Sequence, residues 1–476
     1  MKRREFIKAL GGGAVSFVAC GCPRAKAFAQ AAPKHKPNFV FIFIDDMGYR
    51  DLGCMGSEYY ETPNIDKLAA EGVVFTNAYS NAPNCAPTRA CLMSGQYGPR
   101  HGVYTVGTPE RGPAKLRKLI PVPNTTELDR QVVTIPEALE SAGYTSGCFG
   151  KWHLGNDEPH RPADQGFDAS YQRTKRSHWT DAGQYLTDRL TNEAVDFIDA
   201  NKDKPFFLYL SHHAVHTPIQ AKPEIIDKYE DKAPANGHNN PAYAAMIESV
   251  DRSVARVLAK LEDAGLNEDT VVFFFSDNGG HANFTSMHPL RGSKGTLYEG
   301  GIRVPCIVRW SGRTKPGLVT DAPIIGIDFY PTMIELACAD PPKNHVLDGC
   351  SIVDLLDPDL PAFASTYRRF QNRPIFWHFP AYLEPYNKSQ WPWRTTPAGV
   401  VRKGPWKLIE FFEGHALELY NLDMDISEKN NLAAQMADKT AELHKLMQQW
   451  RKDIDAPVPT RLNPKYDPEA RAAKPL

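Results

Sequence analysis

Three unbroken apolar runs stand out along the chain: Phe39-Val40-Phe41-Ile42-Phe43-Ile44, Phe206-Phe207-Leu208-Tyr209-Leu210 and Val271-Val272-Phe273-Phe274-Phe275. Short runs without apolar–polar alternation predict strands buried on both faces, as in a parallel sheet. Each run ends in polar residues able to do chemistry: Asp45-Asp46, Ser211-His212-His213 and Ser276-Asp277-Asn278-Gly279. Ligands of open α/β sheets bind beyond the carboxyl ends of the strands. The three ends are therefore expected to converge on one site.

Helical periodicity lies between the strands. Thr134 is placed to cap a helix with Pro136 and Glu137 in its first turn, ending before Gly143. Met246, Val250, Val254, Val257, Leu258 and Leu261 recur at helical spacing and predict a long helix over about 242–264, closed by Gly265. After about residue 355 the character changes. Prolines punctuate short segments, 398–409 and 417–420 read as antiparallel strands, and a last amphipathic helix covers about 436–454. The expected fold is α/β. A large, mainly parallel or mixed sheet flanked by helices would occupy 36–355, and a smaller α+β subdomain with an antiparallel sheet, contributing to the substrate pocket, 356–476.

Composition changes this picture at the N-terminus. Residues 1–29 hold six basic residues and one acidic residue, then a short apolar, glycine-interrupted stretch. That is the pattern of an export signal, and Arg3-Arg4 with Phe6, Ile7 and Lys8 resembles the twin-arginine type. The twin-arginine export machinery carries folded proteins, so modification would occur before export to the periplasm. Ala27-Phe28-Ala29 is the expected cleavage site. The weak lipoprotein box Phe17-Val18-Ala19-Cys20 offers an alternative, lipid anchoring through Cys20. The whole chain has net charge -1, and removing a +5 segment leaves -6. Nucleic-acid binding is therefore not expected, and any anionic substrate must be caught by local cations. Seven cysteines follow residue 29, an odd number that flags one thiol with a separate fate; the other six are either paired or buried free.

The thiol with a separate fate is Cys85. The stretch Cys85-Ala86-Pro87-Thr88-Arg89, continued by Leu92 and Gly95, resembles the signature of the type I sulfatases in the alkaline phosphatase superfamily. Gly150-Lys151-Trp152-His153, His216-Thr217-Pro218 and Arg291-Gly292-Ser293-Lys294 match further stretches of that family in the same order. The resemblance implies that a formylglycine-generating or anaerobic sulfatase-maturating enzyme oxidises Cys85 to formylglycine. One hydroxyl of the hydrated aldehyde (a gem-diol) would attack sulfur to form a covalent sulfo-enzyme intermediate. The second would then expel sulfate.

Asp45, Asp46, Asp277 and Asn278 offer only hard oxygen donors, which favours Ca²⁺ or Mg²⁺ over Zn²⁺. The resemblance implies one Ca²⁺ held by these four and residue 85. It also assigns Lys151 to a sulfate oxygen, His153 to the base that triggers elimination and Arg89 to the metal-bound carboxylates. His216 would protonate the leaving oxygen and Lys294 bind sulfate, while Arg303 reads as a structural ion-pair partner.

Substrate selection is less legible. Phe376-Trp377-His378-Phe379 and Trp391-Pro392-Trp393-Arg394 suit sugar stacking as well as a packed core, and His378 is the expected sugar contact. The irregular stretch 104–130 is expected to form a pocket wall. The reading is an exported sulfatase acting on a sulfated carbohydrate. Its alternatives are a phosphonate monoester or phosphodiester hydrolase sharing the nucleophile motif, and a non-catalytic module binding sulfated glycans.

Overall fold

A computed structural model describes residues 36–173, 175–386 and 392–472. The expected export segment, Cys20 and Trp391 lie outside the described residues. Among those residues no helix is long and apolar enough to cross a membrane.

The three apolar runs form neighbouring strands at the centre of one eight-stranded sheet. In chain order the strands are β1 (Asn38–Ile44), β2 (Val73–Phe75), β3 (Ala78–Tyr79), β4 (Thr145–Gly150), β5 (Ala169–Tyr171), β6 (Phe206–Ser211), β7 (Thr270–Ser276), β8 (Cys306–Trp310), β9 (Leu318–Thr320) and β10 (Ile324–Ile325). The large sheet runs β5-β4-β6-β1-β7-β8-β2-β9, while β3 and β10 pair separately. β1 lies parallel between β6 and β7, with Ile42 opposite Leu210 and Phe274. Only β8 runs antiparallel to its neighbours, so the sheet is mixed but mainly parallel.

The strand pleat sorts the unbroken runs into two chemical faces. Val40, Ile42, Ile44, Leu208, Leu210, Val272 and Phe274 pack against the helices Leu186–Asn201 and Pro241–Asp263. The alternate positions build an aromatic layer: Phe329 sits 5.2 Å from Phe41 and 5.0 Å from Phe275, ring centre to ring centre. Burial of each such side chain stabilises by roughly 1.5–3 kcal/mol. The expected cap is present, for Thr134 and Glu137 form a capping box on the helix Ile135–Glu140. The expected long helix is Pro241–Asp263, capped by the Asn240 side chain. Of the six cysteines whose pairing was open, Cys54, Cys91, Cys148, Cys306 and Cys338 carry thiols rather than disulfides, and Cys54 and Cys338 are exposed rather than buried.

The smaller sheet is antiparallel, β11 (Ile375–Phe379), β12 (Ala398–Lys403), β13 (Trp406–Phe411) and β14 (Ala416–Asn421), in sequential order. Lys403 pairs with Trp406 across a two-residue turn begun by Gly404 at φ 58°, where glycine accepts the left-handed backbone. The helix Ala437–Asp453 covers this sheet through Leu443 and Met447. Its core is continuous with Tyr79, Leu297, Ile302 and Ile325, so the architecture changes near residue 355 without a break in the interior.

A buried polar knot fastens the small sheet to the rest. Lys407 of β13 lies 2.9 Å from Glu299 and 2.8 Å from Glu428, all fully enclosed. Tyr79 donates to Glu299 at 2.7 Å and accepts from Arg402 at 2.6 Å. Burial opposes ionisation of Glu299, but Lys407, Arg303 and Arg402 prevail and lower its pKa to about 2. Burial lifts Glu428 to about 7 in spite of Lys407, with Glu299 adding to the effect. Glu428 thus keeps a proton in the folded chain that the unfolded chain, with its ordinary value of 4.5, has released. Its contribution to stability is full below 4.5 and is lost as pH rises through 7. Glu428→Gln cannot lose that proton. Its melting temperature should gain on that of the wild type as pH climbs through this window, and a pH-independent difference would contradict the assignment.

Candidate active site

Two pairs of residues meet at the carboxyl ends of the central strands. Asp45 and Asp46 follow β1, and Asp277 and Asn278 follow β7. Asp46 has φ 65°, and its backbone N–H donates to Asp277 at 3.2 Å. Gly279 then passes the 299–301 turn so closely that a Cβ would lie 1.9 Å from the Gly300 carbonyl oxygen. Gly150 ends β4 at φ 116°, where a Cβ would lie 1.8 Å from the Ser211 carbonyl oxygen. These two glycines fix the directions in which Asn278 and Lys151 leave their strands.

Cys85 opens the helix Cys85–Ser94, every residue of which is buried. Its place in the first turn favours negative charge there. One turn on, Arg89 is fully enclosed and reaches three strand ends. It donates to Asp277 at 3.0 and 2.6 Å, to the Lys151 carbonyl at 2.9 Å and to the Ser211 hydroxyl at 2.5 Å. Its guanidinium also lies 4.8 Å above the Phe43 ring, joining the site to the aromatic layer.

Lys151 is ion-paired with Asp45, and Lys294 lies 2.6 Å from Asp46. Burial acts to strip the proton from both lysines. Asp45 and Asp46 overcome it and hold both above the ordinary lysine value. His216 places Nε2 3.7 Å from Asp46, while its Nδ1 lies 2.7 Å from the Thr217 carbonyl, which fixes Nδ1 as the protonated nitrogen of the neutral ring. Burial and Lys294 lower its pKa to about 4. Burial and Lys151 likewise keep His153 far below the ordinary histidine value.

The acidic cluster fits a hard cation. Ligand atoms of Asp45, Cys85 and Asp277 all lie within 4.8 Å of one another, as do those of Asp45, Asp46 and His216. Oδ1 of Asp45 and Oδ1 of Asn278 are buried with no hydrogen-bond partner among the described residues. Burial and then Asp45 push Asp277 well above the usual carboxylate range despite Arg89. Unmatched oxygen acceptors and mutually repelling carboxylates are what a bound cation relieves.

Above this floor opens a cavity of about 620 Å³. Asp45, Cys85, Lys151, His153, His216 and Lys294 line it, and Asp46, Arg89, Asp277 and Asn278 lie enclosed behind them. The ten floor residues expected from the sequence are thus brought together. Val106 and Arg111 of the irregular stretch 104–130 do form part of the wall. His213 also lines the cavity, whereas His212 is buried and bonds Ser253 at 3.0 Å. Arg303 lies off the cavity, 3.5 Å from Glu299, in the structural role expected of it.

His378 is a correction. The pleat of β11 sends it to the same face as Phe376, under Trp450, and its Nε2 lies 2.8 Å from the Pro457 carbonyl. It packs the subdomain interior and does not line the cavity. Trp393 packs on Tyr382. Tyr386 and Arg394 reach the cavity from this region instead, and Arg173, Lys175 and Arg176 face it from another loop. That basic run was visible in the sequence but reads equally as a solvated loop.

Comparison with known proteins agrees with the site. The family model described as Sulfatase matches residues 37–339, and one described as N-sulphoglucosamine sulphohydrolase, C-terminal, matches 293–453. The chain belongs to the sulfatase family. It is a sulfuric ester hydrolase. The sulfatase is 34% identical to a sulfatase of Formosa agariphila, over 89% of this chain and 90% of that one. It is 32% identical to the N-acetylgalactosamine-6-sulfatase of Mus musculus, over 77% and 74%. It resembles the crystal structure of Ps i-CgsB in complex with k-i-k-neocarrahexaose, with TM-score 0.73 and 29% identity over 87% of this chain and 93% of that one. The phosphonate monoester hydrolase of Agrobacterium radiobacter, at TM-score 0.64 and 20% identity, shares the fold.

The Arg89–Asp277 pair makes a stability prediction. Arg89→Met leaves Asp277 enclosed without its cation, which should cost about 3 kcal/mol or more in urea unfolding at pH 8 with chelator present. A loss below about 1 kcal/mol would show that the pair does not hold the strand ends together.

Proposed function

We propose that the sulfatase removes sulfate from a sulfated oligo- or polysaccharide, using formylglycine derived from Cys85 and one Ca²⁺. The observation that carries this reading is the position of Cys85. It sits at a helix N-terminus on the cavity floor, within ligand distance of Asp45 and Asp277. Lys151, Lys294 and His216 surround the same floor. The carbohydrate class is supported by the relatives whose names carry sugar sulfates, and by a cavity large enough for a sugar unit.

Asp45, Asp46, Asp277, Asn278 and residue 85 would hold the calcium ion, which supplies positive charge against the sulfate oxygens and residue 85. Formylglycine, as its hydrate, supplies a nucleophilic hydroxyl and a second hydroxyl that releases sulfate without a separate water. The chain's own groups do the rest. The ammonium groups of Lys151 and Lys294 stay charged in the enclosed site and bind sulfate oxygens as the S–O bond breaks. Nε2 of His216 is bare in the resting neutral ring; the negative charge of the bound sulfate ester lets it take up a proton, which it then delivers to the leaving sugar oxygen, its ring held by the Thr217 carbonyl. His153, held neutral, is the base that accepts the proton of the second hydroxyl. Arg89 orients Asp277 and the backbone of Lys151.

A maturation enzyme of the formylglycine-generating or anaerobic sulfatase-maturating type would modify Cys85, and the twin-arginine pattern supports export to the periplasm. The test is release of inorganic sulfate by enzyme co-expressed with such a maturation system, on glycosaminoglycan and algal-type oligosaccharides, an aryl sulfate and a phosphodiester. Sulfate should come from one sugar class and vanish in Cys85→Ala. Lys151→Ala and His216→Ala should each lower kcat by about 10²–10⁴-fold. No sulfate release from any saccharide, with mass spectrometry showing residue 85 fully converted, would overturn the reading.

A further inference from the structure

Seven lysine and arginine side chains line the cavity against two carboxylates, Asp45 and Glu384. Two of the cations, Lys151 and Lys294, belong to the floor. The others exceed what one sulfate monoester needs, in a chain whose net charge is slightly negative. Most are neutralised within the protein. Arg173 and Lys175 share Asp181 at 3.1 and 2.8 Å, and Arg111 faces Glu384 at 3.7 Å.

Arg394 is different. It is only 9% exposed, yet among the described residues no carboxylate lies within ion-pair distance of it. Among the described residues its Nε and Nη1 are buried without a hydrogen-bond partner. Its guanidinium is stacked 3.7 Å from the centre of the Tyr386 ring, which itself stacks on His281 at 3.8 Å. Tyr386 both stacks on the fork and hydrogen-bonds with it, and neither contact brings a countercharge. On its other side Arg394 presses against Gly295: a Cβ there would fall 2.5 Å from Nε. Gly295 directly follows Lys294, the lysine bound to Asp46. Arg394 thus lines the same cavity as the floor lysines, packed against the residue that follows Lys294.

A guanidinium enclosed without a countercharge is costly unless a ligand supplies one. The planar fork matches a carboxylate or a sulfate through paired, charge-assisted bonds. We propose that Arg394 binds a second anionic group of the substrate, so that the sulfatase selects glycans bearing a further sulfate or a carboxylate near the sulfate it removes. This inference rests on the carbohydrate reading above and names its substrate as polyanionic.

The test is calorimetric binding to the Cys85→Ala chain with calcium present, which needs neither maturation nor turnover. The probes are N-acetylgalactosamine 6-sulfate, N-acetylgalactosamine 4,6-disulfate, and the disaccharide of glucuronic acid with N-acetylgalactosamine 6-sulfate. At least one doubly anionic probe should bind about 10–100-fold more tightly than the singly sulfated sugar. Which one does so tells a second sulfate from a carboxylate. Arg394→Gln in the same background should remove that preference while retaining binding of the singly sulfated sugar, and Arg394→Lys should restore only part of it. The inference fails if all three probes bind within threefold of one another, if none binds, or if both variants keep the preference. Failure of the sulfatase reading is seen separately, in sulfate release by the matured wild type.

Discussion

Everything in this structure is arranged around the cost of enclosing three carboxylates at the ends of two adjacent strands. Asp45, Asp46 and Asp277 are all at most 1% exposed. Three cations answer them, each from a different element: Arg89 from a buried helix, Lys151 from the end of β4, and Lys294 from the loop before the 299–301 turn. Their charges balance the carboxylates one for one. Among the described residues the buried oxygens of Asp45 and Asn278 still lack partners, and burial and then Asp45 still push Asp277 toward protonation. The polypeptide neutralises the cluster but does not satisfy it. That remaining deficit is what a hard cation corrects.

The fold supplies the rigidity that such a cluster requires. Three parallel strands lie side by side, so that their carboxyl ends meet at one level. Glycines at 150 and 279 admit backbone contacts closer than any side chain would allow. Arg89 ties the ends of β4, β6 and β7 together and rests on the aromatic layer beneath. The small sheet, pinned by Lys407 between Glu299 and Glu428, brings Tyr386 and Arg394 to the cavity rim. The floor is thus set by the large sheet and the wall by loops and the second sheet.

The sequence carried the first of these parts far better than the second. Unbroken apolar runs fixed the central strands because burial on both faces leaves no room for polar residues. The motif around Cys85, with the Lys151, His216 and Lys294 stretches, named the floor residue by residue, since that chemistry demands particular groups in order. His378 misled because an aromatic strand reads the same whether it faces sugar or core, and only the pleat of β11 decides. Arg394 passed without singling out because its significance is that no carboxylate pairs with it among the described residues, a property of three-dimensional surroundings that no local spacing records. The Lys407 knot was invisible for the same reason.

The most direct measurement is calcium binding to chelator-treated protein, by titration calorimetry with the bound metal counted by mass spectrometry. The account predicts one ion per chain, with Asp45→Asn and Asp277→Asn each weakening binding at least about tenfold while the chain stays folded. A folded wild type that takes up no calcium, or variants that bind it as the wild type does, would contradict the claim that the strand-end carboxylates form a cation site.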